Sequence, residues 1–578
     1  MAFKNRKKNY PLYETTKFSD FREMVENVAD RVPDKVAFRY KEDPRQKVAD
    51  TITFAECREY VRTLATELHS MSLEDKKIAL IGGASVDWFL SYTAIMCVGA
   101  VTVPIDKDLP IDDAASIINT AGCEYIFFAA DIAGKVKELA SKAACVKTLV
   151  SLCGEVEGAT SVSSLRAAGA EKAKAGDNSY LEYEIDNEKL ASIVFTSGTT
   201  GQGKGVMLSL KNICSDMEQG MYNFQITERT LFALPPHHTF GSTVNFVGHF
   251  AQGCEVYISS GLRYIMDELK TFKPTHLILV PLFVETFYKR IMAAAEKSGK
   301  LETLQKGIKT SNSLRKVGID MRKSLFGKSV LSNFGGELQM IICGGAALNQ
   351  NIIDFFESIG VVILNGYGIT ECAPLISCNR NECRKDGSVG MPIIGGEVKI
   401  HEPNENGEGE ICYRGPNVML GYFENEEATR AAIDEDGFFH TGDIGYVKDI
   451  DGDQWLYITG RIKNLIILSN GKNVYPEELE CDIQGIWGVN EVVVYQGVHK
   501  NDSDKEVIVA EIYPDYEGFA AKGIENIRAY FETEIKKIND KNAAYKFIGR
   551  VKLRTEEFPK NTSRKITRFK IDKTLDEE

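Results

Sequence analysis

Short, almost continuously apolar runs alternate with helical patterns through the first two-thirds of this 578-residue chain. Runs this apolar are typical of strands that are buried on both faces of a sheet. They occupy residues 77–81, 125–129, 148–152, 254–258, 276–281, 339–343 and 361–365. Amphipathic helices are expected at 18–31 and 54–71. The alternation predicts an α/β fold with largely parallel sheets.

The pattern changes after about Gly387. Glycine-rich alternating segments at 409–413 and 445–447 predict antiparallel β structure, with a hairpin turn at 449–453. From about Lys463 a smaller α+β segment continues to the C-terminus. A chain of 578 residues exceeds what one hydrophobic core holds. We therefore expect about two to four domains or subdomains.

Composition excludes several classes of protein. The net charge of −13 argues against general nucleic-acid binding. The 13 cysteines show neither a C-x-x-C pair nor metal-site spacing, which is typical of reduced thiols in a cytoplasmic protein. No signal peptide and no apolar run of about 18 residues is present, so we predict a cytoplasmic protein without a membrane span.

A loop of glycines, hydroxyl residues and one lysine follows the apolar strand at 191–195. Backbone N–H groups, hydroxyls and a lysine charge all bind phosphate, so we predict a phosphate loop at 196–205. Its candidate binding residues are Thr196, Ser197, Gly198, Thr199, Thr200 and Lys204. The spacing nearly fits a P-loop, but Gly205 replaces the Mg²⁺-binding Ser or Thr and a strand follows. The alternative is a hairpin turn without a ligand.

Four further motifs lie downstream. The run N-G-Y-G-I-T-E at 365–371 follows an apolar strand, at the end of the strand where ligands of α/β sheets bind. In it Tyr367 offers a ring to a nucleobase, Thr370 a donor to phosphate and Glu371 a ligand to Mg²⁺. Asp443 can accept two hydrogen bonds from a ribose diol. The last two motifs are polar loops at 460–480 and 558–566. Taken singly, each of the four fits an ordinary turn equally well.

The order and spacing of the five motifs resemble the adenylate-forming superfamily, which comprises acyl-CoA synthetases, luciferases and the adenylation domains of peptide synthetases. The resemblance implies a large N-terminal domain at 1–462 that contains α/β subdomains and a small β-barrel-like subdomain. It implies a small, mobile α+β lid domain at 463–578, with the hinge near Lys463.

The resemblance also implies how the nucleotide is held. The loop at 196–205 would close over the β- and γ-phosphates of ATP, although Gly203 stands where the family has proline. Outside this loop, the residues expected to bind the nucleotide are Gly345, Ala346, Ala347, Asn365, Gly366, Tyr367, Asp443 and Arg461.

Catalytic roles follow from the same resemblance. Thr370 would contact the α-phosphate, and Glu371 would bind Mg²⁺. Lys565 would bridge the carboxylate and the α-phosphate, although Arg564 replaces the usual glycine before it. After rotation of the lid domain, Gly471 would line a channel for the pantetheine of coenzyme A. His238 is expected to gate the acyl pocket; the alternative is a purely structural histidine.

Two segments are most similar to long-chain acyl-CoA synthetases, namely 468–477 and 321–339. We therefore expect a medium- or long-chain fatty acid to react with ATP and then with coenzyme A. An acyl carrier protein ligase, an activator of aryl or amino acids, and a nucleotide-binding regulatory protein are the alternatives. The basic segment 306–328 suits either peripheral contact with an anionic inner membrane face or an ordinary solvated helix face.

Overall fold

The computed structural model describes residues 2–4, 12–196, 203–468, 472–499, 507–560 and 566–575. Predicted site residues outside these ranges are Ser197, Gly198, Thr199, Thr200, Gly471 and Lys565. Within the described ranges, every helix is too short or too polar to cross a bilayer.

Residues 2–209 alternate strands with helices. The strands are β1 (Ala2–Lys4), β2 (Val36–Tyr40), β3 (Asp50–Thr53), β4 (Lys77–Ile81), β5 (Val101–Ile105), β6 (Tyr125–Phe128), β7 (Thr148–Ser151), β8 (Thr160–Ser161), β9 (Leu190–Thr196) and β10 (Lys204–Ser209). The helices are α1 (Phe21–Arg31), α2 (Phe54–Ser70), α3 (Val86–Cys97), α4 (Ile111–Ala121), α5 (Ala133–Lys142), α6 (Val162–Lys174) and α7 (Ser179–Glu182).

The alternation continues to residue 378. The helices are α8 (Leu210–Asn223), α9 (Gly248–Gln252), α10 (Ile265–Phe272), α11 (Pro281–Lys297), α12 (Leu301–Arg315), α13 (Arg322–Phe326) and α14 (Gln350–Ile359). The strands are β11 (Arg229–Phe232), β12 (Glu255–Ile258), β13 (His276–Leu279), β14 (Met340–Cys343), β15 (Val362–Gly368) and β16 (Leu375–Cys378). A π-helical segment at Phe240–Val247 leads into α9, and a 3₁₀ turn at Thr370–Cys372 follows β15.

The last third is richer in strands, most of which pair antiparallel. They are β17 (Met391–Pro392), β18 (Glu397–His401), β19 (Gly409–Arg414), β20 (Gly421–Tyr422), β21 (Phe439–Ile450), β22 (Asp453–Arg461), β23 (Ile466–Ile467), β24 (Asn473–Val474), β25 (Val489–His499), β26 (Val507–Pro514), β27 (Ile548–Leu553) and β28 (Thr574–Leu575). The helices are α15 (Glu426–Ala432), α16 (Pro476–Gln484), α17 (Tyr516–Ala521) and α18 (Ile527–Asn539).

Two large sheets, parallel at their centres, dominate the N-terminal domain. One has the strand order β20-β10-β9-β5-β4-β6-β7-β8 and the other β17-β16-β15-β14-β13-β11-β12-β2-β3. The subdomain expected to be barrel-like is a five-stranded antiparallel sheet, β1-β18-β19-β21-β22. The smaller C-terminal domain contains the sheet β27-β26-β25-β28 and the hairpin β23-β24. The predicted α/β class with a large and a small domain is confirmed.

The seven predicted apolar strands are confirmed as β4, β6, β7, β12, β13, β14 and β15, within three residues at either end. The prediction for 276–281 is too long, because Pro281 begins α11. Proline lacks the N–H that a strand ladder needs but is tolerated in the first turn of a helix, where that N–H has no partner.

Aromatic rings join the two large sheets into one core. Phe89 of α3 lies 4.5 Å from Phe246 and 6.0 Å from Phe38 of β2, measured between ring centroids. The buried cluster around Val494, Phe519 and Phe531 draws its members from residues 466–551 alone. Since each large buried cluster excludes water independently, the C-terminal segment has a hydrophobic core of its own.

A pair of buried histidines joins α9, which carries His249, to β13, which begins at His276. The Val244 carbonyl accepts the Nδ1–H of His249 at 3.1 Å, which leaves His249 Nε2 to accept the Nε2–H of His276 at 2.7 Å. The Thr227 hydroxyl donates to His276 Nδ1 at 2.8 Å. With Cys254 these side chains could group around a metal. However, the ligating nitrogens of two histidines on one tetrahedral zinc ion lie about 3.3 Å apart. The shorter distance between the two Nε2 atoms fits a hydrogen bond better than a shared metal ion.

These histidines predict acid destabilisation. Burial lowers the pKa of His249 from 6.5 to about 4. Between about pH 6.5 and 4, His249 binds a proton in the unfolded chain but stays neutral in the folded protein. The free energy of unfolding should therefore fall by about 3 kcal/mol from this group between pH 6.5 and 4, and level off below. Urea unfolding measured across this range checks it.

A matched pair of variants isolates the contribution of His249 to acid destabilisation. His249→Gln should be less stable at pH 7.5 but lose less stability on acidification. The control is His401→Gln, at a site whose side chain is 41% exposed. In this control the free energy of unfolding should change with pH as it does in the wild type. Equal slopes in all three proteins would contradict the prediction.

Candidate active site

The segment predicted to bind phosphate begins and ends in an antiparallel strand pair, β9 and β10. Thr196 at the end of β9 pairs with Lys204 at the start of β10, and the Thr196 hydroxyl donates to the Lys204 carbonyl at 3.3 Å. A Cβ at Gly203 would lie 2.6 Å from the Thr196 carbonyl oxygen, so a side chain there would collide with the opposite strand. The strand predicted after the loop is confirmed as β10, which separates this hairpin from a P-loop.

The predicted adenine-binding segments are adjacent. β14 and β15 are parallel neighbours, and Cys343 lies opposite Asn365 in their register. A Cβ at Gly344 would lie 3.3 Å from the Gly366 carbonyl oxygen. The residues that follow, Gly345, Ala346 and Ala347, are exposed at the carboxyl end of β14. The structure thus brings 345–347 and 365–367 to one sheet edge.

Tyr367, Asp443 and Arg461 form a connected polar group. The Tyr367 hydroxyl donates to Asp443 Oδ2 at 2.8 Å, and Arg461 Nε lies 2.7 Å from Asp443 Oδ1. Burial raises the pKa of the Asp443 carboxyl, while the Arg461 charge and the Tyr367 hydrogen bond lower it. Asp443 and Arg461 lie opposite each other on β21 and β22. Two strand residues far apart in sequence are therefore fixed as one ion pair.

Glu410 supports the Asp443 segment, a role that the sequence did not suggest. Its Oε1 accepts the Gly442 N–H at 2.9 Å, and its Oε2 lies 2.7 Å from His440 Nδ1. Gly442 has a φ of +69°, which favours glycine. The side chain of Glu410 thus holds the bulge that precedes Asp443. No motif marks this contact, because it depends on the register between β19 and β21.

Tyr422 links Lys204, in the β9–β10 hairpin, to Glu371. Its hydroxyl donates to Glu371 Oε1 at 2.9 Å, and Lys204 Nζ lies 4.6 Å from the centroid of its ring. Glu371 is 8% exposed. Burial raises the pKa of the Glu371 carboxyl, whereas the Tyr422 hydrogen bond and the charges of Arg461 and Lys204 lower it. The Glu371 carboxylate could serve as one of the one or two carboxylates that commonly hold Mg²⁺ together with phosphates and water.

A buried amide holds the 3₁₀ turn that carries Thr370 and Glu371. Asn417 Nδ2 lies 2.7 Å from the carbonyl oxygens of both Cys372 and Leu375, and 2.9 Å from Asp216 Oδ1. The Leu375 N–H donates to the same Asp216 oxygen at 2.8 Å. Burial raises the pKa of Asp216 well above its ordinary value. The side chains of Asn417 and Asp216 thus hold this turn in place, a role that no sequence motif indicates.

His238 lies in a turn after β11, not on the strand itself. Its carbonyl accepts the N–H groups of Gly241 and Ser242, each at 2.8 Å. Its ring is half-buried, 4.4 Å from that of His237, and the His237 ring lies 3.7 Å from Asp106. The neighbouring Phe240 ring lies 3.3 Å from the Cβ position of Gly344. The histidine turn therefore adjoins the sheet edge that carries 345–347.

Lys463 lies in a 3₁₀ turn at Ile462–Asn464, between the five-stranded sheet and the C-terminal domain. Burial and the nearby Arg461 charge lower the pKa of Lys463. The adjacent Asn464 amide donates to Glu477 Oε1 at 2.5 Å. The predicted hinge residue is thus close to Arg461, which is predicted to bind the nucleotide. Lys565 and Gly471 lie outside the described residues.

Sequence comparison identifies relatives over most of the chain. The AMP-binding enzyme family matches residues 25–423. A probable acyl-activating enzyme of Arabidopsis thaliana is 29% identical over 531 residues, which cover 80% of this chain and 72% of the relative. A long-chain-fatty-acid–[acyl-carrier-protein] ligase of the same plant is 27% identical and covers 78% and 71%. A long-chain-fatty-acid–CoA ligase of Mycobacterium bovis is 28% identical and covers 77% and 75%.

Solved structures agree on the fold. An anthranilate CoA ligase in complex with anthranoyl-AMP gives a TM-score of 0.75 at 19% identity, covering 97% of both chains. The adenylation domain of a carboxylate reductase of Mycobacterium chelonae gives 0.75 at 20% identity, covering 95% of this chain and 88% of that domain. Because the family match spans more than half of the sequence and these likenesses span the fold, the chain belongs to the AMP-binding enzyme family.

Proposed function

We propose that the protein joins a medium- or long-chain fatty acid to coenzyme A in two steps. As an adenylate-forming enzyme of the acid–thiol ligase type it activates an acyl group with ATP. In the first step a carboxylate oxygen attacks the α-phosphorus, the bond to the β-phosphate breaks and pyrophosphate leaves. In the second step the thiol sulfur attacks the acyl carbonyl, the thioester forms and AMP leaves. The observation that carries the reaction with ATP is the joining of Tyr367, Asp443 and Arg461, together with the contacts of Tyr422 to Glu371 and Lys204. The choice of acid and thiol is supported by the likeness to a long-chain-fatty-acid–CoA ligase.

Charge is the main demand of the first step, because a carboxylate approaches a polyphosphate. Lys204 and Lys565 would supply fixed positive charge there. Mg²⁺ held by Glu371 would offset the charge of phosphate oxygens. Thr370 would donate a hydrogen bond to the α-phosphate. Thr196 and its hairpin, with Ser197, Gly198, Thr199 and Thr200, would hold the departing pyrophosphate.

The nucleoside would be held at the shared sheet edge. Asp443 would accept hydrogen bonds from the ribose hydroxyls, and Arg461 would keep that carboxylate ionised and oriented. Tyr367 would contact the adenine, flanked by Gly345, Ala346, Ala347, Asn365 and Gly366. His238 would gate the acyl pocket from its turn beside Gly344.

The second step would use a different arrangement of the two domains. We place the boundary at 462/463, with Lys463 at the hinge, a division supported by the separate buried cluster at 466–551. Rotation of 463–578 would withdraw Lys565 and bring Gly471 to the pantetheine channel. The contacts that hold the present arrangement include Lys289 Nζ to the Val489 carbonyl, at 2.8 Å.

A panel of acids and acceptors tests the proposed function. The enzyme should release AMP with ATP, Mg²⁺, coenzyme A and one or more acids between octanoate and palmitate, and should do so poorly with acetate. An acyl carrier protein replaces coenzyme A in a parallel series, since one relative is a ligase of that kind. A higher rate with the carrier protein than with coenzyme A would identify the carrier protein as the acceptor. No AMP release with any fatty acid would overturn the proposal.

A further inference from the structure

One surface of this acidic protein is strongly basic. Residues 297–328, which span α12 and α13, contain nine Lys or Arg and two Asp or Glu, whereas the whole chain has a net charge of −13. We call the exposed part of this surface, residues 315–328, the basic tip. Its positive charge stands out because the rest of the protein is negative.

Apolar side chains project from the basic tip. Val317 is 71% exposed, Ile319 50%, Met321 39% and Leu325 38%. In the described part of the chain 16 large apolar residues are at least 37% exposed, and four of them lie between positions 317 and 325. Single exposed apolar residues are ordinary, but a cluster of this kind marks an interaction site.

The positive charges around these apolar residues are available to a partner. Lys316, Lys323 and Lys328 are exposed and have no ion pair among the described residues, whereas Arg322 is paired with Asp320 at 2.6 Å. Arg315 is exposed as well. A helix face that is merely solvated would carry charges of this kind without the apolar residues between them.

The basic tip is held firmly on the N-terminal domain. Asn312 Nδ2 donates to Ser358 Oγ at 2.9 Å, and Arg322 Nη1 donates to the Glu357 carbonyl at 3.1 Å, both on α14. Phe326 is buried beneath α12, with its ring 3.4 Å from the Cβ position of Gly307. Exposed residues of the tip can therefore be replaced without disturbing these contacts.

We propose that the basic tip docks on the surface of an anionic lipid bilayer. Lysine and arginine are attracted to anionic headgroups, while apolar side chains enter the boundary between headgroups and acyl chains. The four exposed apolar side chains lie among these lysines and arginines, the arrangement that an interfacial segment presents to a bilayer. The proposal needs no catalytic residue and goes beyond the proposed function.

Vesicle cosedimentation tests the docking. The full-length protein should bind phosphatidylcholine vesicles that contain phosphatidylglycerol, bind pure phosphatidylcholine weakly, and lose affinity as salt rises. Replacement of Arg315, Lys316, Lys323 and Lys328 by Gln should lower the partition coefficient roughly tenfold or more. The combined changes Val317→Ser, Ile319→Ser and Met321→Ser should lower it several-fold while the salt dependence persists.

A charge-matched control makes the result specific. Gln at Lys270, Lys448, Lys536 and Lys541, exposed lysines elsewhere on the surface, should leave vesicle binding within about twofold of wild type. Three results would overturn the proposal: no binding to anionic vesicles, equal loss in the control, or binding of the tip to an acidic carrier protein instead. The assay contains no acid, ATP or thiol, so its failure would leave the proposed function standing.

Discussion

Lys565→Ala is expected to lower the acid-dependent exchange of pyrophosphate into ATP by roughly 10²–10³-fold, while thioester formation from synthetic acyl-AMP continues. A carboxylate and an α-phosphate repel each other as they approach, and a lysine between them offsets that repulsion. Removal of a group that stabilises developing charge costs roughly 10²–10³-fold in rate. The second step starts from a neutral mixed anhydride centre and has no such pair of anions to bring together. Isotope exchange and thioester release, measured separately, check the two halves.

Lys560→Ala is the matched control for this prediction, because it removes a lysine five positions away. Lys560 Nζ is paired with Glu557 at 2.6 Å and with Glu491. Its loss should change stability slightly and leave both half-reactions close to wild type. An equal loss of exchange and thioester formation in Lys565→Ala would contradict the two-arrangement mechanism. Lys565→Arg should keep part of the exchange activity, since it keeps the charge but not the geometry.

Local pattern was enough to predict the sheets and the nucleotide motifs. Strands β4, β6 and β14 are nearly continuous apolar runs, and such runs predict strands that are buried on both faces of a sheet. The motif at 365–371 sits at the carboxyl end of such a strand, where backbone direction alone places it at the sheet edge. Predictions of this kind need only periodicity and the rule for where ligands bind.

Contacts that depend on strand pairing could not be predicted. Tyr422 reaches Glu371 because β20 pairs with β10, and Val206 lies opposite Tyr422 in that register. Nothing in the order of residues indicates that Met207 of β10 and Gly421 of β20, which are 214 positions apart, lie opposite each other. The buried network of Asn417 and Asp216 has the same origin, because each partner comes from a different element. Such partners become visible only when the sheets are assembled.

Glu371→Gln is expected to lower acid-dependent pyrophosphate release by roughly 10²-fold and to raise the Mg²⁺ concentration needed for half-maximal rate. The amide has the shape of the carboxylate and can still accept the Tyr422 hydrogen bond, but it lacks the negative charge that a divalent cation requires. Because the change is nearly isosteric, the melting temperature should stay close to that of the wild type. Pyrophosphate release titrated with MgCl₂ at saturating ATP checks the prediction.

Tyr422→Phe separates orientation of the carboxylate from its charge. This variant keeps the Glu371 carboxyl and a ring beside Lys204, but removes the hydrogen bond to Oε1. Loss of a group that orients a metal ligand typically costs about 10- to 100-fold in metal affinity. We expect a shift of the Mg²⁺ titration in that range with a smaller loss of maximal rate than in Glu371→Gln. A wild-type Mg²⁺ titration in Glu371→Gln would show that the metal is held elsewhere. A normal titration in Tyr422→Phe alone would show that burial, without the hydroxyl, is enough to orient Glu371.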